Sequence, residues 1–164
     1  MTDEEFEQLY LHRSKRLVGQ LYLVTGDLHE AQDVVQEAFV RAWSRRRKLD
    51  RDGAPETWIR TTAWRLAISR WRRRRRALDA WTRLGGEPQR AAVQPGPETV
   101  ALAQSLRRLP PRQRQAVFLF YLCDLSVAQI AAETGTSTGS VKTHLSRGRA
   151  ALAPHLTAME AADD

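Results

Sequence analysis

Apolar residues recur along this chain every three to four positions, and no strand-length window alternates Val, Ile or Thr with polar residues. The pattern predicts helices throughout. In the first, over 3–24, Phe6, Leu9, Tyr10, Leu17, Leu21 and Val24 trace one stripe, and Gly26 stands where a left-handed cap ends a helix. Asp27 and Glu30 make a capping box for a second helix, whose core-facing stripe is Ala31, Val34, Val35, Ala38, Phe39 and Ala42. Residues 50–54 read as a turn. Pro55, at a first helical position, then starts a third helix that runs into the arginines of 72–76. Between 84 and 97, Gly85, Gly86, Pro88, Pro95, Gly96 and Pro97 break the periodicity, so this stretch reads as a linker. A second helical block follows over 98–108, 111–123, 126–134 and 137–153. The small acidic tail over 157–164 is expected to fray. The expected fold is all-α: two small helical domains, over 1–83 and 98–156, joined by a flexible linker over 84–97.

Composition narrows the partners. A net charge of +7 over 164 residues calls for a polyanion, either nucleic acid or an anionic membrane surface. The excess is mostly arginine, which suits forked contacts to phosphate and guanine edges. No apolar run approaches the ~20 residues of a membrane span, and the acidic start over 1–7 lacks the features of a signal peptide. Cys123 is the single cysteine, which excludes an internal disulfide and a multi-cysteine zinc site. The reading is a cytoplasmic protein without membrane insertion, metal or other cofactor.

The most specific local pattern is a helix-turn-helix over 126–152. Ser126 and Gln129 form a capping box, Ile130 and Ala131 face inward, Gly135 supplies the turn, and Ser137 caps the next helix. On that helix Val141, Leu145, Gly148 and Leu152 share one side. Gly139, Ser140, Thr143, Ser146 and Arg147 share the other, flanked by Lys142, His144 and Arg149. One apolar and one small-polar, basic edge is what a recognition helix needs to lie in a major groove. A solvated amphipathic helix is the plainer alternative, but two capped helices in register around a glycine turn, in a basic chain, favour DNA. His144 has no partner at metal-ligand spacing and reads as a DNA-facing or rim side chain. The apolar run 117–123 reads as core, with Phe118, Tyr121 and Leu122 also available for docking and Cys123 as a small buried residue.

The third helix carries the second signal. Ile59, Ala63, Trp64, Leu66, Ala67 and Trp71 occupy one arc; Arg65, Ser69, Arg72, Arg73 and Arg76 occupy the other, and no acidic residue lies between 60 and 76. Such a stripe suits phosphate neutralisation with counterion release. A membrane-surface helix is the competing reading, but the apolar arc is needed to pack on the two preceding helices. The exposed side of the second helix differs, with Asp33, Gln36, Glu37 and Arg41 clustered there. A solvated face is the default reading; a protein-binding face is the sharper one, because acidic groups are unfavourable beside DNA.

These segments resemble the extracytoplasmic-function sigma factors. DVVQEAFVRAW, over 33–43, is similar to the family segment that docks on the β′ clamp helices of RNA polymerase. TWIRTTAWRLAISRWRRRRR, over 57–76, resembles the helix that engages the −10 promoter element. The stretch over 109–152, from LPPRQRQAV to SRGRAAL, resembles the −35-binding domain. The resemblance implies polymerase contacts by Asp33, Gln36 and Glu37, with the β flap as a further polymerase partner. It implies −35 contacts by Gly139, Ser140, Lys142, Thr143, Ser146 and Arg147. It also implies −10 contacts by Arg65, Ser69, Arg72, Arg73 and Arg76, and capture of an extruded −10 base by the turn over 49–56, with Asp50, Arg51, Asp52 and Gly53. The linker would thread polymerase channels, and an anti-sigma factor becomes a candidate partner. Where the family commonly carries Asn and, four residues on, Asp, this chain has Arg65 and Ser69. An altered −10 preference is expected from that departure. The runner-up reading, a helix-turn-helix regulator that is not a polymerase subunit, leaves the N-terminal half unused. An enzyme would need clustered carboxylates or an activated nucleophile, and the acidic residues are scattered.

Overall fold

The computed structural model describes residues 1–86 and 97–163, and the regular structure of these is helical. Most of the expected linker lies outside the described residues. The chain divides into two units, Met1–Gln94 and Pro95–Asp164. Among the described residues no helix is long and apolar enough to cross a membrane.

The first unit holds α1 (Asp3–Thr25), α2 (Leu28–Ser44), α3 (Arg46–Asp52) and α4 (Pro55–Arg83). Thr2 and Glu5 close a reciprocal capping box, with Glu5 N donating to Thr2 Oγ1 at 3.1 Å and Thr2 N donating to Glu5 Oε2 at 2.7 Å. Gly26 ends α1 in the left-handed conformation, φ 68°. All six stripe residues of α2 are buried, and Val34, Ala31, Ala38 and Ala42 are sealed completely against α1 and α4. The α1 stripe is buried only at Leu17, Leu21 and Val24. Nearer the start of α1, Phe6 and Tyr10 set their rings edge-on to Phe39 at the margin of the core.

The stretch read as a turn is shorter than expected. Asp50, Arg51 and Asp52 form the end of α3, and only Gly53 (φ 72°) and Ala54 separate it from α4. Leu49, buried on α3, anchors this short helix, and a glycine in the left-handed region ends it. The third helix of the sequence reading, here α4, also continues beyond the arginines to Arg83, because Ala77, Leu78 and Ala80 are good helix formers.

The second unit holds α5 (Pro97–Arg108), α6 (Pro111–Val117), a π-helical turn (Phe118–Leu122), α7 (Val127–Thr134) and α8 (Thr138–Asp163). The expected helix over 111–123 is thus divided. Cys123 N donates to Phe118 O at 3.1 Å, a five-residue span, and Leu125 N reaches Leu119 O at 3.0 Å across Asp124, at φ 56°. Phe118 and Leu119 are drawn fully into the core, while Tyr121 is left exposed. Phe118 is therefore unavailable for docking, and Cys123 is half-buried where a buried residue was expected.

α8 packs on α5, α6 and α7 through Val141, Leu145, Gly148 and Leu152, the four residues of the expected inner side. Gly148 sets the depth of that contact: a Cβ there would lie 2.8 Å from Val117 Cγ2. α8 continues through Pro154 to Asp163, past the end expected at 153 and through the tail expected to fray. Alanines at 150, 151, 153, 158, 161 and 162 favour helix strongly enough to absorb the hydrogen bond that Pro154 forfeits.

Candidate nucleic-acid interface

In the second unit the helix-turn-helix is built as its caps specify. Gln129 N donates to Ser126 Oγ at 3.1 Å and Ser126 N to Gln129 Oε1 at 2.8 Å, which fixes the start of α7. Gly135, at φ 69°, turns the chain, and Ser140 N donates to Ser137 Oγ at 3.1 Å to start α8. Gly139, Ser140, Lys142, Thr143, Ser146 and Arg147 are all exposed on the side away from the core. Thr143 Oγ1 is turned back to Gly139 O at 3.0 Å, leaving its methyl group and the Lys142 and Arg147 heads outermost. This edge has small residues that let a helix approach bases closely and two cations that can reach their edges.

His144 and Arg149, two of the three flanking residues, each pack against neighbouring side chains. His144 lies on the inner flank: its Nδ1 is enclosed, and it lines a cavity of about 110 Å³ with Arg112, Gln115, Thr134 and Thr136 over Ile130 and Val141. It is half-buried beside Val141 and Leu145, which suits the rim alternative of the sequence reading better than the DNA-facing one. Arg149 lies over Phe120 and Tyr121, 5.5 and 5.6 Å from the ring centroids, and donates to the Tyr121 hydroxyl.

In the first unit, Arg65, Ser69, Arg72 and Arg76 are brought together along α4, where with Trp64 and Ile68 they line an open trough of about 290 Å³. Arg73 is exposed outside this row. None of Arg65, Arg72, Arg73 and Arg76 pairs with a described carboxylate. Trp64 is buried as the floor of the trough, whereas Trp58 is half-buried with Arg45 stacked 5.7 Å from its centroid. Asp50 lies 2.6 Å from the Met1 amine, so one of the four residues at 50–53 already holds an ion pair.

The arginine block is not uniformly free, which the sequence reading missed. α2 and its N-cap supply acidic partners to two arginines of α4. Arg74 Nη1 reaches Asp27 Oδ2 at 2.8 Å and its Nη2 lies 3.6 Å from Glu30 Oε2; Arg70 Nε lies 3.9 Å from Glu30 Oε1, and its Nη2 donates to Glu37 Oε2. Arg41 donates to the other Glu37 oxygen. Asp27 still caps α2, accepting from Glu30 N at 3.1 Å, but the Glu30 side chain turns to the arginines and does not complete the expected capping box. Burial raises the Asp27 pKa, yet the Glu30 amide, Arg74 and the His29 amide together hold it below the usual aspartate range. The spacing of Asp27, Glu30 and Glu37 on one helix against Arg70 and Arg74 on another was the available signal.

On the outer row of α2, Asp33 and Gln36 are exposed and Glu37 is half-buried by its two arginines. Val40, 60% exposed one turn beyond Gln36, joins this face and was not picked out from sequence. Among the described residues no cluster of His, Cys, Asp and Glu could hold a metal ion.

Comparison with known proteins places both units. Residues 9–77 match the family description Sigma-70 region 2, and residues 99–152 match Sigma-70, region 4. The chain is 29% identical over 150 residues to the ECF RNA polymerase sigma factor SigW of Bacillus subtilis, covering 82% of this chain and 80% of SigW. It is 31% identical over 127 residues to ECF RNA polymerase sigma factor SigL of Mycobacterium tuberculosis, covering 74% and 72%. The fold resembles that of the sigma factor RpoE, solved with the anti-sigma factor NepR from Bartonella quintana, at TM-score 0.72, 22% identity and coverage of 94% and 98%. Its two units, its helix-turn-helix and these relatives make the chain a member of the extracytoplasmic-function sigma factors of RNA polymerase.

Proposed function

We propose that this sigma factor engages core polymerase and promoter DNA through the three surfaces described above. The outer row of α2, with Asp33, Gln36, Glu37 and Val40, meets the β′ clamp helices. α8 enters the −35 major groove with Gly139, Ser140, Lys142, Thr143, Ser146 and Arg147. The α4 row of Arg65, Ser69, Arg72 and Arg76, with Arg73 and the α3–α4 junction at residues 50–53, holds the −10 region. The second unit also reaches the β flap. The factor performs no covalent step; it positions polymerase, which carries the chemistry. An anti-sigma factor, as in the RpoE–NepR complex, is its expected regulator.

The observation that carries the reading is the separation of charge on the first unit. One face of α4 keeps arginines that pair with no described carboxylate, whereas the outer α2 row is acidic, polar and apolar. A regulator that only bound operators would have no use for that second face. The family match to region 2 supports this reading.

Run-off transcription with purified core polymerase on a library of genomic promoters tests this directly. Addition of the protein should give discrete start sites behind a shared −35 and −10 motif. Gln36→Ala with Val40→Asp should cut co-elution with core polymerase while leaving the circular-dichroism spectrum intact. Retained co-elution would remove α2 from the docking role, and random initiation would overturn the whole reading.

A further inference from the structure

We propose that the cavity beside the reading edge of α8 is a phosphate notch, in which Arg112, Gln115 and His144 hold one backbone phosphate of the −35 duplex. The proposal rests on α8 as the −35 helix and adds a contact outside its outer edge. Three helices meet at the cavity. α6 brings Arg112 and Gln115, the end of α7 and the turn after it bring Thr134 and Thr136, and α8 brings His144. At about 110 Å³ the space takes more than one water-sized group, and so has room for a phosphate head.

The chemistry of the walls selects an anion. No carboxylate lines the cavity. Thr134 Oγ1 donates to Ile130 O at 2.7 Å, so Thr136 Oγ1 is the donor in its 2.9 Å contact with Thr134 Oγ1, and both hydroxyl protons are spent. The Arg112 guanidinium, the Gln115 amide and the His144 ring are left to serve an occupant. Arg112 is exposed and pairs with no described carboxylate. His144 Nδ1 is enclosed and has no hydrogen-bond partner among the described residues. An enclosed polar atom left in that state is costly. An oxyanion suits all three groups, because guanidinium, amide and ring N–H all donate to it, the first with charge assistance.

Position selects which anion. With 3.6 residues per turn, His144 lies roughly 60° around α8 from Arg147 on the outer edge and roughly 60° from Val141 on the inner one. Arg147 is exposed and Val141 buried, so the notch sits on the flank between the reading edge and the core. A helix in the major groove turns its outer edge to the bases and its flanks to the sugar–phosphate walls, and contacts to those walls fix its register. A free phosphate shares the chemistry of this notch but not its placement.

The test titrates the full chain with the −35 duplex defined by run-off transcription, and with duplexes that each carry one neutral methylphosphonate in place of a backbone phosphate. Binding by the original chain should weaken at one position beside the bases that α8 reads. Arg112→Gln should weaken binding to matched and mismatched −35 sequences alike and lower the slope of log affinity against log salt by about one. It should also be indifferent to the methylphosphonate at that position. His144→Phe, which keeps a ring but removes Nδ1, should show the same indifference, with its Tm reporting any loss of packing. Unchanged affinity and slope in Arg112→Gln, or the same methylphosphonate response in both proteins at every position, would overturn the proposal. So would inorganic phosphate that binds the chain without competing with the duplex, since the cavity would then serve a free anion. An original chain without preference for its −35 duplex would instead sink the assignment of α8, on which the notch depends.

Discussion

The two helices proposed to face DNA are fixed to their units by opposite means. α8 is held by apolar contact at close range, with Val141, Leu145 and Leu152 buried and Gly148 allowing the helix to settle against Val117. α4 is packed that way only as far as Ala67. Beyond it, Arg70 and Arg74 tie the helix to Asp27, Glu30 and Glu37 of α2 in partly exposed ion pairs. Apolar contact at this distance is nearly indifferent to salt and pH, whereas solvent-exposed pairs respond to both. α8, the proposed −35 reader, should therefore be a rigid element, and the outer half of α4 a tunable one.

The sharpest test of that contrast is Gly148→Leu. It forces side-chain atoms into the space of Val117 and should destabilise the second unit by about 1–3 kcal/mol, read as a lower Tm with the first unit unaffected. On the outer edge of α8, Arg147→Ala or Lys142→Ala should leave stability alone. Each should weaken promoter binding by about 1–3 kcal/mol if its contact to a base is bidentate, measured by titration of −35 duplex. Normal promoter-dependent transcription by both variants would remove α8 from the groove.

On α4 the arginines should divide into two groups. Arg72→Ala and Arg73→Ala should each lower the slope of log affinity against log salt by about one. Arg74→Ala should leave the slope near its original value and cost below about 1 kcal/mol of stability, because its pairs are partly solvated. Equal slopes for all three variants would mean that the α2 carboxylates give way to phosphate.

The smallest effect concerns acid. Because the folded-state pKa of Asp27 is lowered, its stabilisation is present above its ordinary value and lost as pH falls through the folded one. Asp27→Asn should therefore be less stable than the original chain at neutral pH. The difference should shrink toward zero in the acid range, as followed by urea unfolding at several pH values.

Much of this arrangement was legible in the sequence because it follows from one-dimensional rules. The α2 stripe, the Ser126–Gln129 box, the Gly135 turn and the two sides of α8 each depend on residues within a few positions of one another. What escaped depends on pairs distant in sequence. Arg70 and Arg74 were given no role because their partners, Asp27, Glu30 and Glu37, lie at the start of and along another helix. His144 was left open between the groove and the rim because a wheel shows its angle but not the walls contributed by Arg112 and Thr134. The end of α3, residues 50–52, was read as turn because polar residues follow its single buried anchor, Leu49. The π turn had no local signature, and within it Phe118 goes inward while Tyr121 stays out.

Asp27 performs two tasks with one carboxylate: Oδ1 accepts the amide of Glu30 at the start of α2, and Oδ2 receives Arg74 from the middle of α4. Fraying of the first turn of α2 would carry that carboxylate away and release α4 at the same moment. The two segments should then open as one cooperative unit, with amide protons near 30 and near 74 exchanging with solvent on a shared timescale.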